Sequence, residues 1–287
     1  MHIPGGMLNG AVCPATAAVA AIAVGVAGYF AIKSKEKPGA EKFFIGLSLI
    51  FVMQMLNFPI QSGTSGHFLG GVFAAYLLGT PFAAVAMSIV LTVQAVIFGD
   101  GGLSTLGANI VNMVVIGTVL PGIIINSFKN KNNIKSCFIT AAASFISVVA
   151  ASFACAVEVG ISNVFEMGKG ISAMVSVHSV IGTAEGIITA ILCVLVSRGV
   201  MKGKQYALII LALIAATPFA SSNPDGLEYV VEKIGKFAGT ETYIKTVFYD
   251  YSVSFIQNSY ISTIVSALTG VIVMAVVTVI FYRRKNK

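Results

Sequence analysis

A series of long apolar stretches fills most of the 287 residues of this chain. The stretches run for roughly 15 to 25 residues, which is the length a helix needs to cross about 30 Å of hydrocarbon. Only 10% of the residues are charged, whereas soluble domains carry about 25%. The sequence therefore predicts an all-α polytopic membrane protein that is surrounded by a lipid bilayer.

Hydropathy along the chain predicts about nine transmembrane helices, with a boundary near residue 205 before the last two. The third and fourth are predicted to be two short helices, because Pro81 after Gly79-Thr80 interrupts a long apolar run. The nine predicted helices lie near residues 8–32, 43–57, 68–78, 81–98, 106–127, 136–158, 173–197, 206–219 and 261–282.

The distribution of basic residues predicts that the N-terminus lies outside the cell and the C-terminus inside. With nine crossings, fourteen of the 18 Lys and Arg residues fall in cytoplasmic segments, in agreement with the positive-inside rule. The net charge of +7 follows from these segments and does not indicate a nucleic-acid partner. The cytoplasmic residues are Lys33, Lys35, Lys37, Lys42, Lys129, Lys131, Lys135, Arg198, Lys202, Lys204, Arg283, Arg284, Lys285 and Lys287; the outer ones are Lys169, Lys233, Lys236 and Lys245.

The N-terminal segment is expected to stay on the chain. Residues 1–32 contain no Lys or Arg, so they lack the basic start of a cleaved secretory signal. Removal of an initiator methionine requires a small second residue, and because His2 is large we expect Met1 to keep a free amine. The predicted topology places Met1 and His2 on the outer face together with the loop 58–67, which ends at His67.

Met1, His2 and His67 predict a transition-metal site. The terminal amine titrates near pH 8, so a metal ion can displace its proton. The amine, the His2 amide nitrogen and the His2 imidazole can hold one ion in fused chelate rings, and His67 can fill a fourth position. Four nitrogens in a plane favour Ni²⁺ or Cu²⁺ over Zn²⁺, and binding is expected to weaken below about pH 6.5. The alternative is an accidental His2 and a solvated His67.

Four stretches of the chain resemble the CbiM/NikM family, the substrate-binding (S) components of energy-coupling-factor transporters for cobalt and nickel. The resemblance covers residues 1–205 and implies a seven-helix S component. It also implies a metal site formed by the terminal amine, the backbone and side chain of His2, and His67. Many relatives carry a larger or acidic residue in place of Gly5, which leaves the metal preference open. The four stretches are 1–8, 57–70, 101–113 and 178–189.

The C-terminal part, residues 206–287, resembles the PDGLE module of nickel and cobalt systems, which is similar to NikN and CbiN. The motif stands here as Pro224-Asp225-Gly226-Leu227-Glu228. The resemblance implies two transmembrane helices joined by an external loop, residues 220–260. Asp225 and Glu228 of this loop either gather cations or form a turn and a helix start.

The resemblance implies the metal-capturing subunit of an ABC-type importer in the cell membrane of a prokaryote. Ni²⁺ or Co²⁺ is then the transported substrate, and no organic cofactor is expected. The sequence contains no GxxxxGK[ST] motif, so the chain is not expected to be an enzyme. ATP hydrolysis is expected on cytoplasmic ATPase subunits that act through a transmembrane coupling (T) subunit. Gly25 and Gly28 either let that subunit pack closely or serve packing within the chain.

Two other functions stay open at this point. A self-sufficient secondary cation carrier or channel needs acidic residues along a transmembrane path, where Glu185 is the best-placed candidate. A membrane metal sensor or scaffold needs no transport partner. Glu185 and His178 lie seven residues apart on one helix face, either as a transit position for metal or as a polar pair that locks helices together.

Polar residues near the His67 loop are candidates for orienting its imidazole. Asn57, Gln61, Ser65 and Asn109 are expected to hydrogen-bond this loop. Asn109 alternatively caps or bridges helices.

Overall fold

The fold is almost entirely helical in the computed structural model, which describes residues 1–60, 63–126, 134–237 and 246–283. Each of the nine predicted apolar segments contains a helix. The first elements are α1 (Val12–Lys33), α2 (Ala40–Met55), β1 (Phe58–Pro59), β2 (Ser65–Gly66), α3 (Gly71–Leu78), α4 (Thr80–Val93, continued by a π-helix at Gln94–Phe98), α5 (Leu106–Ile110, continued by a π-helix at Val111–Val119) and α6 (Leu120–Asn126). The remaining elements are α7 (Ile134–Ile161), α8 (Met167–Ser197), α9 (Gly203–Ala216, continued by a 3-10 turn at Thr217–Phe219), α10 (Gly226–Ile234), a 3-10 turn at Tyr249–Tyr251, and α11 (Ser259–Arg283).

Six helices in the described ranges are long and apolar enough to cross a membrane, so the class of polytopic helical membrane protein is confirmed. A seventh apolar helix, Gly203–Phe219, is shorter. The six span candidates are Val12–Lys33, Thr80–Phe98, Leu106–Asn126, Lys135–Ile161, Met167–Ser197 and Ser259–Arg283.

Helix α2 lies at the centre of the bundle, with 12 of its 16 residues buried. It packs against α3, α4, α9 and α11. At the crossing with α11, a Cβ on Gly270 would lie 2.0 Å from the Phe51 ring, so only glycine allows this approach. The helices that follow residue 205 are therefore packed into the same bundle as the rest of the chain.

The predicted break before Pro81 is confirmed. Helix α3 ends and α4 begins at Gly79, whose φ of 82° is in the left-handed region that glycine adopts without strain. Pro81 lies in the first turn of α4, where its missing N–H removes no helical hydrogen bond.

The predicted loop 58–67 contains a short antiparallel pair. Phe58 faces Gly66 and Pro59 faces Ser65, so His67 follows directly after β2. This pair fixes the position at which His67 leaves the strand and enters the bundle.

The predicted external loop 220–260 is not a simple loop, because α10 lies within it. Asp225 caps this helix by accepting the backbone N–H groups of Leu227 and Glu228, and the Glu228 side chain accepts the N–H of Asp225. This is a capping box, so the helix-start alternative for Asp225 and Glu228 is confirmed. The extent of this helix was not predicted, because the polar composition hides a short apolar face formed by Leu227, Val230 and Val231, all buried.

Helix α1 packs against α4 and α5 and leaves its opposite side open. A Cβ added at Gly25 or Gly28 would meet nothing within 4 Å. Neither glycine therefore makes a close helix contact in the described part of the chain. Gly25 is exposed, and Gly28 lines a cavity together with Phe82 of α4 and Phe281 of α11.

We predict that Gly71→Ala destabilises the fold by about 1–3 kcal/mol, as other overpacking changes do. A Cβ at Gly71 would lie 2.2 Å from the carbonyl oxygen of Gly117, and backbone cannot move aside as a flexible side chain can. The thermal unfolding temperature in detergent measures the effect. Gly25→Ala is the matched control and should cause no loss, because its site is open and alanine favours helix. Equal unfolding temperatures for the two variants would contradict the packing of α3.

Candidate metal site

The N-terminal arm folds back into the bundle and is anchored at Ile3, which is fully buried. The Ile3 N–H donates to Asn109 Oδ1 over 2.8 Å. The Ile3 carbonyl accepts from Thr105 Oγ1 at 2.6 Å, from the Gly102 N–H at 3.0 Å and from Asn109 Nδ2 at 3.2 Å. The N–H and the carbonyl of Ile3 are thus both hydrogen-bonded, which fixes the position of the arm. Met1, two residues earlier, is therefore held inside the protein.

The Met1 amine is buried between an imidazole and a carboxylate. Its nitrogen lies 2.9 Å from His67 Nε2 and 2.5 Å from Asp225 Oδ2. Burial lowers the pKa of the amine, but the charge of Asp225 and its hydrogen bond outweigh burial and raise the pKa above its ordinary value. Without a metal ion the site therefore holds an ammonium group paired with Asp225.

His67 presents a free lone pair to this amine. Its Nδ1 lies 3.0 Å from the Phe68 carbonyl oxygen, and because a carbonyl only accepts, Nδ1 carries the hydrogen. Burial, followed by the nearby charged amine, lowers the pKa of His67 to about 3. The imidazole is therefore neutral at physiological pH, with Nε2 available as a metal ligand.

His2 is held from its other side by Asp100. Its Nδ1 lies 2.6 Å from Asp100 Oδ1, and Asp100 Oδ2 accepts the hydroxyl of Tyr251 at 2.5 Å. Tyr251 in turn accepts from Gln94 Nε2 at 3.0 Å. His2 Nε2 is buried and has no hydrogen-bond partner in the described part of the chain. The rings of His2 and His67 are stacked, with centroids 5.1 Å apart.

Two carboxylates give this pocket its negative charge. Burial raises the pKa of Asp225, but the Met1 ammonium and hydrogen bonds lower it below its ordinary range. Burial also raises the pKa of Asp100, and the charge and hydrogen bond of His2 bring it down to about 2. Both groups are therefore ionised at neutral pH and favour a cation beside them.

A cavity of about 10 Å³ lies beside the amine and His67. It is close to the smallest volume that holds one water molecule, so one small ion or water fits there. In the described ranges no group of three or more His, Cys, Asp or Glu side chains could hold a metal ion. The cavity is lined by Met1, Gly66, His67, Leu69, Val148, His178, Ile181 and Gly226.

None of the described residues predicted to orient the His67 imidazole hydrogen-bonds its ring: Nδ1 lies 3.0 Å from the Phe68 carbonyl oxygen and Nε2 lies 2.9 Å from the Met1 amine. Ser65 binds the PDGLE segment, with its N–H donating to the Pro224 carbonyl at 2.8 Å and its hydroxyl to the Asn223 carbonyl at 2.7 Å. The backbone carbonyl of Asn57 accepts the Ser221 N–H at 2.8 Å.

Asn109 holds the N-terminal arm rather than the loop of His67. Gln61 lies outside the described residues.

His178 and Glu185 do not form the predicted polar pair. Both are buried on α8, but His178 Nδ1 donates to the Met174 carbonyl of its own helix. Glu185 accepts the backbone N–H groups of Leu69 at 2.7 Å and Gly70 at 3.0 Å. Glu185 therefore fixes the backbone that follows His67, which is the orienting role that the sequence assigned to other residues.

Sequence reasoning missed Asp100, Tyr251 and Thr105, and it did not connect Asp225 with the amine. One signal was present, because Asp100 is the only acidic residue between Glu41 and Glu158. It follows directly after an apolar helix, where an isolated carboxylate indicates a specific partner. The contact of Tyr251 had no such signal.

The fold and the site together define a polytopic helical membrane protein with nitrogen donors gathered at its buried N-terminus. Residues 2–201 match the CbiM family model, described as the cobalt uptake substrate-specific transmembrane region, and residues 202–286 match the PDGLE domain. The chain belongs to the CbiM family and carries a C-terminal PDGLE domain, so the resemblance seen in the sequence is confirmed.

Relatives and solved structures agree with this assignment. The chain is 32% identical to a putative fused nickel transport protein, NikMN, of Archaeoglobus fulgidus, over 76% of this chain and 75% of the relative. It is also 32% identical to the fused nickel transport protein NikMN of Rhodobacter capsulatus, over 66% of this chain and 60% of the relative. A crystal structure of a truncated transition metal transporter superposes with a TM-score of 0.61 at 28% identity, covering 69% of this chain and 99% of that one.

We predict that Glu185→Gln destabilises the fold by about 1–3 kcal/mol. A glutamine has one acceptor oxygen, so its amide NH₂ would face one of the two backbone donors, Leu69 or Gly70. The unfolding temperature of purified protein measures the loss. Glu166→Gln is the control, because Glu166 is exposed and pairs only with exposed Lys169 among its described contacts. A Glu185→Gln variant as stable as this control would contradict the assigned role.

Proposed function

We propose that this chain is the substrate-binding membrane subunit of an energy-coupling-factor importer for nickel or cobalt ions. It captures the ion at the outer face of the cell membrane through the Met1 amine, His2 and His67. The observation that carries the proposal is the 2.9 Å separation between the amine nitrogen and His67 Nε2. Names of the relatives, which are nickel and cobalt transport proteins, support the class of substrate.

The separation suits two ligands of one metal ion. Nitrogen donors lie about 2.0–2.1 Å from a first-row metal such as zinc, so two donors at right angles lie about 2.9 Å apart. The same distance also suits the hydrogen bond present without metal. An ion can therefore replace the ammonium proton with little movement of either nitrogen.

His2 has two distinct nitrogens, and they support different binding modes. The fused chelate with the His2 amide closes only through Nδ1, which Asp100 holds in this conformation. In that mode the ion takes the place of Asp100 on Nδ1. The unpartnered Nε2 binds an ion without this exchange, and the carboxylate then supports the imidazole from behind.

The donor chemistry favours nickel over cobalt. The affinity of a nitrogen site for divalent ions increases from cobalt to nickel to copper, and imidazole is a suitable ligand for nickel. The arm passes close to Gly102, where an added Cβ would lie 2.3 Å from the backbone of Gly5, so position 102 requires glycine.

We propose two modules, residues 1–205 as the S component and residues 206–287 as the PDGLE-type accessory part. We also propose nine membrane crossings with the N-terminus outside and the C-terminus inside. The positive-inside charge distribution supports this orientation.

The open side of α1 at Gly25 and Gly28 is the proposed contact surface for the coupling subunit. His178, which lines the cavity beside His67, stays a predicted transit residue.

Transport without a partner is less well supported. A secondary carrier needs ionisable groups that are free to bind and release cations along a path. Both carboxylate oxygens of Glu185 accept backbone N–H groups, so this residue is committed to the fold.

We predict that purified protein with an unmodified N-terminus binds one Ni²⁺ or Co²⁺ per chain. A short Gly-Ser extension before Met1 should abolish binding, because it turns the amine into an amide and cannot fit in the buried site. The same extension after the C-terminus is the control. Metal analysis and equilibrium titration measure the result, with His2→Ala and His67→Ala in parallel. Full affinity and stoichiometry in the N-extended protein would exclude the amine as a ligand.

We predict that the chain alone, reconstituted in vesicles, binds Ni²⁺ but does not accumulate it. Accumulation should require the coupling subunit, the ATPase subunits and ATP. Uptake of radioactive nickel into vesicles distinguishes the two cases. Gradient-driven accumulation by the chain alone would instead identify a secondary carrier.

A further inference from the structure

We infer that the C-terminal module supplies two positioning residues to the metal site, Asp225 and Tyr251. The inference rests on the proposed function and concerns the regulation of that same site. Each of the two residues acts on a different ligand at the N-terminus: Asp225 acts on the Met1 amine directly, and Tyr251 acts on His2 through Asp100.

Asp225 performs two tasks with its two carboxylate oxygens. Oδ1 accepts the N–H groups of Leu227 and Glu228 and so begins α10. Oδ2 lies 2.5 Å from the Met1 nitrogen. Because Oδ1 is fixed by the helix start, Oδ2 has a fixed position, and the amine that contacts it is oriented toward His67.

Tyr251 orients the second ligand. Its hydroxyl donates to Asp100 Oδ2 at 2.5 Å and accepts from Gln94 at 3.0 Å, so one contact fixes the hydrogen of the hydroxyl and the other fixes its oxygen. The opposite oxygen of Asp100 contacts His2 Nδ1 at 2.6 Å. The Tyr251 ring stacks on Phe98, with centroids 5.2 Å apart, which holds the tyrosine against the end of the π-helix that precedes Asp100.

Contacts on both sides of the site hold the module in place. Ser65, which lies two residues before His67, binds the carbonyls of Asn223 and Pro224. Gly226 lies against His178, where an added Cβ would be 2.7 Å from Cε1. Five residues before Tyr251, Thr246 Oγ1 donates to the Ile97 carbonyl at 2.5 Å. The module thus reaches the site through two separate segments, one before α10 and one before α11.

The two carboxylates favour metal binding for an electrostatic reason. A divalent ion in a buried pocket needs compensating charge, since burial of an uncompensated ion is costly. Asp225 is the charge that the module adds next to the amine, and Asp100 is the charge that the module orients next to His2. The coordinated amine keeps N–H groups, one of which can still donate to Asp225. Such partners of metal ligands change metal affinity by about 10–100-fold when they are removed.

The test uses the full chain with an unmodified N-terminus and compares Asp225→Asn and Tyr251→Phe with matched controls. Asparagine is also a good N-cap, so α10 is retained while the charge is removed. Glu232→Gln removes the same charge from an exposed position of α10, and Tyr260→Phe removes a hydroxyl from an exposed position of the module. The measurements are Ni²⁺ affinity by competition with a chelator, the ligand-field spectrum of bound Ni²⁺, and the unfolding temperature without metal.

We expect Asp225→Asn to lower Ni²⁺ affinity by about tenfold or more and Tyr251→Phe to lower it by a smaller factor, with altered ligand-field bands in both. Both controls should match the unmodified protein. Affinity and spectra like those of the controls would overturn the inference. Tighter binding in Asp225→Asn would also overturn it, since Asp225 would then hold the amine away from metal.

The His67→Ala variant separates this inference from the proposed function. Loss of metal in His67→Ala together with unchanged binding in Asp225→Asn and Tyr251→Phe would leave the proposed function standing and refute the module's part. Full metal binding in His67→Ala would refute the proposed function, and with it the inference.

Discussion

The buried contact of the Met1 amine with His67 and Asp225 is the interaction on which the site depends. A charged N-terminus normally lies in water, and burying it without a partner would cost several kcal/mol. Here the arm is anchored by both backbone groups of Ile3, the amine is paired with a carboxylate, and His67 offers its lone pair. The same arrangement that satisfies the ammonium without metal places two nitrogens at the separation that one metal ion requires.

The class of the fold and the proximity of Met1 to His67 could be predicted from the sequence, because the apolar pattern and the charge distribution are both visible there. Apolar runs of membrane-spanning length identify the helices, and Gly79 with Pro81 identifies the break between α3 and α4. The topology predicted from the charge distribution puts Met1 and His67 on one face, and the structure brings these residues within hydrogen-bond distance. The family matches then confirmed the resemblance.

The partners of the donors could not be predicted, because they come from distant parts of the chain. Asp225 contacts a residue 224 positions away, and Tyr251 reaches Asp100 across 151 positions. Residues close to His67 in sequence were expected to fix its loop, yet Glu185 of α8 fixes the backbone that follows His67. Helix α10 was hidden for another reason: its nine residues are too few and too polar to register as a membrane-spanning run, and only the capping box of Asp225 and Glu228 marked its start.

A crystal structure of nickel-loaded protein, measured at the nickel absorption edge, shows whether the terminal amine and His67 bind the same ion. We expect one strong anomalous peak about 2 Å from both the Met1 nitrogen and His67 Nε2, with His2 also in the coordination shell. An anomalous peak elsewhere in the protein, with the Met1 ammonium still paired with Asp225 and hydrogen-bonded to His67, would contradict it.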